Sequence, residues 1–369
     1  MTNPAGSARV TFAAEDLQRW VADVLERSGL RDHDAALAAD VLATADRRGV
    51  DSHGVARLPS YVAQLRSGTA NPAPKVRIVR ETPSTATVDG DNGLGLVVGP
   101  QANEIALSKA EQCGSGSVSV RNSSHFGLAG YYALKAVERS LIGWSMTNGT
   151  PVVAPLWGAT ARLGTNPIAR GFPGGEEPPI ILDMATSAVA YGKVEMARRR
   201  GVSIPQGWAI DAAGEPATDP GAMMRGGALL PLGSSREMGG HKGYGLAVGV
   251  DLLSAVLSGA NWGPWAPPFS VGFPPPARQV GLGLGHFFSA LRVDAFIDLE
   301  EWGRQVDDYI RTMRATEPQP GTTGPVLPGD PERLTELHRT EHGIPLLRSV
   351  AGSLEELAKR FRRPLPQSR

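Results

Sequence analysis

Two histidines in this sequence keep company that suits proton transfer. In DSHGVARLPSY, His53, Arg57 and Tyr61 follow one another at intervals of four. On a helix that spacing projects an imidazole, a guanidinium and a phenol from one side. Arginine suits a substrate carboxylate through its planar fork, and histidine suits proton exchange near neutral pH. Pro59 interrupts the spacing, so the stacking requires a helix that begins close to it. The alternative is a solvated helix start capped by Ser52. In VSVRNSSHFGLAGYYA, His125 follows Ser123 and Ser124 where a strand-like run gives way to a helix-like one. Such ends fix a reactive group on the scaffold while leaving it accessible. The competing reading is a cap made by Asn122, Ser123 or Ser124, with His125 merely exposed.

Two further segments could hold an anion or border one. MGGHKGYGLAV sets His241 and Lys242 among glycines just ahead of an apolar helical run, where free backbone N–H groups and an ammonium would receive phosphate or carboxylate. In IILDMATSAVAYGKVEMARRRG, a buried-type strand ends near Asp183, and Thr186 and Ser187 follow in a hydroxyl-rich turn; an N-cap would explain Asp183 equally well.

The glycine runs NGLGLVVG (92–99) and GLGLGH (281–286) are not dinucleotide fingerprints. A Rossmann turn needs a strand, then G-x-G-x-x-G opening a helix, then an acidic residue about 20 positions on. The first run has the wrong spacing, and the second leads into the strand-like FFSALRV. Both read as tight turns and close backbone packing. A Walker A loop is absent, and so is the G-x-S-x-G elbow of a serine hydrolase. His338 and His342 lie four apart in a polar helix without the glutamate of H-E-x-x-H, and read as surface. No metal is expected. A non-enzymatic binding module would have to explain why histidines, an arginine and a lysine all gather at element boundaries.

The elements that must position these residues are visible as pattern. Leu17, Trp20, Val21, Val24 and Leu25 mark one apolar face of a helix over 14–28. Further helices are predicted from Asp32 to about Arg48, after DSHG as far as Gly68, and over 100–113, 128–140, 187–200, 244–258 and 299–314. Strand-like runs are STATVDG, SGSVSVRNS, LIGWSMTN and PPIILDM. WGPWAPPFSVGFPPPARQ (262–279) reads as a surface loop, and EPQPGTTGPVLPGD (317–330) as a linker before two last helical segments. This is α/β organisation: a helical segment over 1–75, an α/β region over 76–298 that holds cofactor and substrate, and a helical segment over 299–369 that packs with the first.

Composition narrows the partners. Basic and acidic residues both number 37, so no global field draws nucleic acid or an anionic membrane. The single cysteine, Cys113, allows no internal disulfide and fits a reducing cytoplasm. The N-terminal stretch lacks an apolar targeting core, and no run of about 18 apolar residues occurs.

Taken together, DSHGVARLPSYVAQLRSG, NSSHFGLAGYYA, GTNPIARGFP, ILDMATSAVAYGKVEMARRRG, IPQGWAID and GHKGYGLAVGVDLLSAVLSGA resemble the malate/L-lactate dehydrogenase family of the second, non-Rossmann type. That family includes ureidoglycolate and sulfolactate dehydrogenases, diketogulonate reductase and piperideine-2-carboxylate reductases. The resemblance runs from about residue 10 to near 345. It implies an α/β non-Rossmann fold, a homodimer, NAD or NADP as cofactor, and a small 2-oxo or cyclic 2-imino acid as substrate. By position, His53 and His125 match the histidines given the proton-transfer role, with His125 slightly favoured, and Ser52, Arg57 and Tyr61 match the substrate pocket. Cofactor contacts fall at Leu182, Asp183, Met184, Ser187, His241, Lys242, Gly329, Asp330 and Pro331. Gly149 stands where a serine is common in the family, and 222–238 is irregular.

Overall fold

The computed structural model describes residues 9–271 and 275–369. The first eight residues and 272–274 lie outside them, and with them part of the N-terminal stretch and part of the expected 262–279 loop. The chain opens with strand β1 (Arg9–Phe12) and helices α1 (Ala14–Arg27), α2 (Asp32–Arg47) and α3 (Leu58–Ser67). The stripe Leu17, Trp20, Val21, Val24 and Leu25 is buried, as the 3.6-residue period requires. Next come β2 (Arg77–Glu81), β3 (Thr85–Asp89), α4 (Gly95–Cys113), β4 (Ser115–Ser123), α5 (Ala129–Val137), β5 (Leu141–Thr147), β6 (Ile168–Phe172) and β7 (Ile180–Met184). Helix α6 (Tyr191–Arg200) precedes three short strands, β8 (Ala209–Ile210), β9 (Pro216–Ala217) and β10 (Ala228–Leu229), which pair as β10-β8-β9. Helix α7 (Gly240–Asp251) continues into a π-helical turn, Leu252–Val256. The chain ends with β11 (Leu284–Arg292), α8 (Leu299–Arg314), α9 (Asp330–His342), β12 (Ile344–Leu347) and α10 (Arg348–Phe361).

A seven-stranded mixed sheet, ordered β2-β3-β4-β11-β5-β6-β7, is the frame of the molecule. Strands β3 and β4 are parallel, joined by the α4 crossover, and the other neighbours are antiparallel. Alternation along β4 puts helices on both faces. A Cβ on Gly116 would meet the Ala106 carbonyl of α4 at 2.1 Å, whereas the Ser119 hydroxyl donates to the Leu253 carbonyl of the π-helical turn. The glycine runs serve this packing. A Cβ on Gly285 would come 2.0 Å from the Ser254 carbonyl, and one on Gly95 would come 2.3 Å from the Ser124 carbonyl.

The chain ends meet. Strand β1 pairs antiparallel with β12, from Arg9 opposite Leu347 to Phe12 opposite Ile344, and Trp20 Nε1 donates to the Arg363 carbonyl. Helix α8 docks instead on the central region, where the Asp307 carboxylate accepts the N–H groups of Gly175, Glu176 and Glu177.

At α4 and α6 the helix start departs from the pattern by several residues. Helix α4 begins at Gly95 rather than at Pro100, because a residue without Cβ lets the first turn press onto the 124–125 backbone. Helix α6 begins at Tyr191 rather than at 187: Thr186 donates to the carbonyls of Thr165 and Asn166, and Ser187 forms a bridge with Pro231, so both are committed elsewhere. Among the described residues, no helix is long and apolar enough to cross a membrane.

Candidate active site

His53, Arg57 and Tyr61 are brought together, but not as three rungs of one helix. Gly54 is extended (φ −87°, ψ −150°), so His53 lies in the preceding turn; Arg57 closes a 3₁₀ turn over Val55–Arg57, and Tyr61 is on α3. Pro59 falls in the first turn of α3, where its missing N–H costs nothing. Ser52 does not cap the helix: its hydroxyl lies 2.9 Å from His53 Nδ1. Arg57 Nε donates to the Ser52 carbonyl at 2.7 Å, and its two terminal nitrogens take no hydrogen bond or ion pair among the described residues. The outer edge of the fork is therefore open to a carboxylate.

His125 arrives from the other side, two residues past the end of β4. Its ring stacks on that of His53, with centroids 5.6 Å apart and planes 20° from parallel. The Tyr61 hydroxyl lies 2.6 Å from His125 Nδ1, and the Gly127 N–H donates to the same nitrogen at 3.2 Å. An amide can only donate, so Nδ1 carries the lone pair, Tyr61 donates to it as well, and the proton of the neutral ring sits on Nε2. Burial, then the neighbouring His53 and Arg57, hold the His125 pKa well below the imidazole range; burial and Arg57 bring His53 down to about 4. Both rings are neutral at pH 7. The phenol of Tyr61 is fully buried, and burial pushes its pKa up despite Arg57.

The region between β7 and α9 borders this centre. Asp183 Oδ2 accepts the Gly130 N–H at the start of α5, 2.7 Å away. Its side chain keeps contact with solvent, yet surrounding protein raises its pKa to about 6, against the lowering effect of that N–H. Leu182 and Met184 flank it. Gly329 (φ +95°) presses on Ile181, whose N–H donates to the Pro328 carbonyl, so Gly329, Asp330 and Pro331 start α9 alongside β7. Asp330 itself is held by both oxygens to Arg314 Nη2, at 3.0 and 3.1 Å.

His241 and Lys242 occupy the first turn of α7, not the loop before it. Both are exposed; His241 Nδ1 pairs with Arg236, while the Lys242 ammonium has no hydrogen bond or ion pair among the described residues. Gly240 and Gly243 let this turn lie against the 232–235 backbone, and Leu232 N–H donates to the Thr186 carbonyl. The α7 start is thus tied to the turn after β7. The Ser187 hydroxyl is buried and donates to the Val189 carbonyl. At Gly149 an added Cβ would meet open space.

The family pattern of malate/L-lactate dehydrogenases matches residues 12–355. The chain belongs to the malate/L-lactate dehydrogenase family. It is 44% identical over 342 residues to a malate dehydrogenase of Pyrococcus horikoshii, with 92% of each chain covered. The crystal structure of malate dehydrogenase from Entamoeba histolytica matches with a TM-score of 0.90 at 35% identity, over 97% of this chain and 100% of that one. That of delta1-piperideine-2-carboxylate reductase from Pseudomonas syringae matches with a TM-score of 0.80 at 30% identity, over 94% and 99%. As a member of the malate/L-lactate dehydrogenase family the chain is an oxidoreductase of the 2-hydroxyacid dehydrogenase type, and its mixed sheet with flanking helices is the fold of those relatives.

Three residues at this malate/L-lactate dehydrogenase-type centre escape the sequence pattern. Phe269, from the expected surface loop, has its ring centroid 4.6 Å from that of His125 and 5.2 Å from that of Tyr61. Asp46, on α2, is 1% exposed: Oδ2 accepts the Val55 N–H at 2.8 Å, Oδ1 has no hydrogen-bond partner among the described residues, and the carboxylate leaves room only for glycine at 54. His286 is wholly buried between Thr147 Oγ1 and Ser123 Oγ, each 2.8 Å away, with Phe126 stacked upon it. Only His286 carries a sequence signal, as a histidine closing a glycine run into a strand.

Proposed function

We propose that this protein moves hydride between a nicotinamide dinucleotide and C2 of a small 2-oxo or 2-hydroxy acid, with Arg57 receiving the carboxylate and His125 exchanging the proton. The observation that carries this reading is the pairing of an open guanidinium edge with an imidazole whose Nδ1 is occupied by Tyr61 and Gly127. The donor set at the start of α7, an unpaired Lys242 on a glycine-rich first turn, fits a dinucleotide phosphate. NAD or NADP, when bound, gives or takes the hydride.

In the reductive direction the substrate oxygen becomes an alkoxide and must be protonated as it forms. His125 offers the Nε2 proton and regains one from solvent once product has left, while Tyr61, donating to Nδ1, holds the ring in the tautomer that carries the proton on Nε2. A neutral imidazole in this role polarises the carbonyl without requiring acid conditions. Arg57 neutralises the carboxylate and fixes the C1–C2 plane relative to that donor. The likeness to the piperideine-carboxylate reductase supports a second reading, a cyclic 2-imino acid, in which the proton goes to the ring nitrogen.

The apolar side chains Leu246, Leu253, Val256 and Leu257, exposed on α7 and its π-helical extension, support a homodimer, and the lone, unpaired Cys113 supports a cytoplasmic setting. Sedimentation of the purified protein at the mass of a single chain would overturn the dimer. A panel of 2-oxo acids and cyclic imines with NADH and NADPH, followed at the nicotinamide absorbance, tests the activity. We expect turnover with at least one 2-oxo acid; no binding of either dinucleotide by calorimetry would remove the reading.

A further inference from the structure

The backbone of Phe269 is held on both sides of its Cα. Its N–H donates to Thr150 Oγ1 at 3.0 Å, and its carbonyl accepts Gln64 Nε2 at 2.8 Å, from a buried side chain of α3. A loop residue with both backbone groups bonded to separate elements is positioned rather than draped. The ring sits beside that of His125 at a tilt of 47°, meets that of Tyr61 at 72°, and stands 5.8 Å from the Arg57 guanidinium carbon. Those three side chains bracket the C1–C2 unit of a 2-oxo acid, with the carboxylate at Arg57 and the oxygen at His125. A phenyl ring against all three borders the space through which the substituent on C3 must leave.

We propose that Phe269 is a specificity-determining residue: its ring is the apolar wall that limits the size of the group carried on the third carbon of the substrate. This rests on the reading of the site as a 2-oxo acid site. The wall also strips water from the Arg57–carboxylate pair, which strengthens that pairing. A truncated wall therefore weakens small acids and admits large ones.

The test compares kcat/KM for pyruvate and for phenylpyruvate in the wild-type protein and in Phe269→Ala, Phe269→Leu and Phe269→Tyr, with dinucleotide affinity and thermal unfolding as controls. In Phe269→Ala the ratio of phenylpyruvate to pyruvate should rise at least about tenfold. Phe269→Leu should move it less, and Phe269→Tyr should leave it near the wild-type value. Gln64→Ala, which keeps the ring but frees its carbonyl, should shift the ratio in the same direction as Phe269→Ala. An unchanged ratio in Phe269→Ala, with dinucleotide binding intact, overturns the wall alone. Failure of the wild-type protein to reduce any 2-oxo acid overturns the parent reading and the wall with it.

Discussion

Tyr61 and His125, 64 positions apart in sequence, meet at 2.6 Å between the phenol oxygen and Nδ1. The contact fixes which nitrogen of His125 faces outward with a proton. His125→Ala should lower kcat and kcat/KM together, by about 100- to 10,000-fold, with dinucleotide affinity retained. Tyr61→Phe should lower kcat by roughly tenfold or more, since the hydrogen bond that sets the His125 tautomer is lost. His53→Ala should give a mixed loss through Ser52 and Arg57. Near-normal turnover in both histidine variants would discard histidine acid catalysis at this site.

Arg57 uses Nε to hold the Ser52 carbonyl and leaves its outer edge open. Arg57→Lys keeps the charge but loses both the fork and that brace. KM for 2-oxo acids should rise while dinucleotide affinity stays unchanged. Weakened dinucleotide binding with a normal KM for the acid would show that the carboxylate is held elsewhere.

Lys242 stands exposed on the first turn of α7, its ammonium without a partner among the described residues. A hydrogen bond to a charged group is worth about 1.5–3 kcal/mol, so Lys242→Ala should weaken NADH or NADPH by roughly 10- to 100-fold, with kcat at saturation little changed. Fluorescence titration would read this directly. Unaltered affinity would move the phosphate away from α7.

Buried titratable groups give stability a pH profile with two opposing limbs. Burial raises Asp46 from 3.8 to about 8, the Val55 N–H opposing it. Between those values the folded chain holds a proton that the unfolded chain has lost, so this group makes stability fall as pH rises toward 8. Burial instead lowers His53 from 6.5 to about 4 and His286 to about 3. There the unfolded chain binds the proton first, and stability falls as pH drops below 6.5. Asp46→Asn should remove the alkaline limb only. Urea unfolding at pH 5 and pH 9 should show the variant gaining on the wild type at the higher pH; a constant gap would mean that Asp46 does not titrate in this range.

The sequence makes legible what local physics dictates. The α1 stripe is buried because its period matches 3.6 residues, and His125 sits past β4 because the apolar alternation stops there. The glycine runs read as close packing for a reason that Gly285 and Ser254 make concrete. The spacing of His53, Arg57 and Tyr61 says nothing of the extended Gly54, which takes His53 off the helix. Phe269 and Asp46 were invisible for another reason. Phe269 lies in a loop without periodicity, and the carboxylate of Asp46 matters only through Gly54 and Val55, which fold back onto it.

Arg339 on α9 donates to the Asp46 carbonyl at 2.6 Å and to Asp51 at 2.5 Å. The turn that carries Ser52 and His53 is thus tied to a helix 288 positions further along the chain. How firmly His53 is presented therefore depends on how firmly α9 is docked, and local opening of that helix would loosen the centre while the core stays folded.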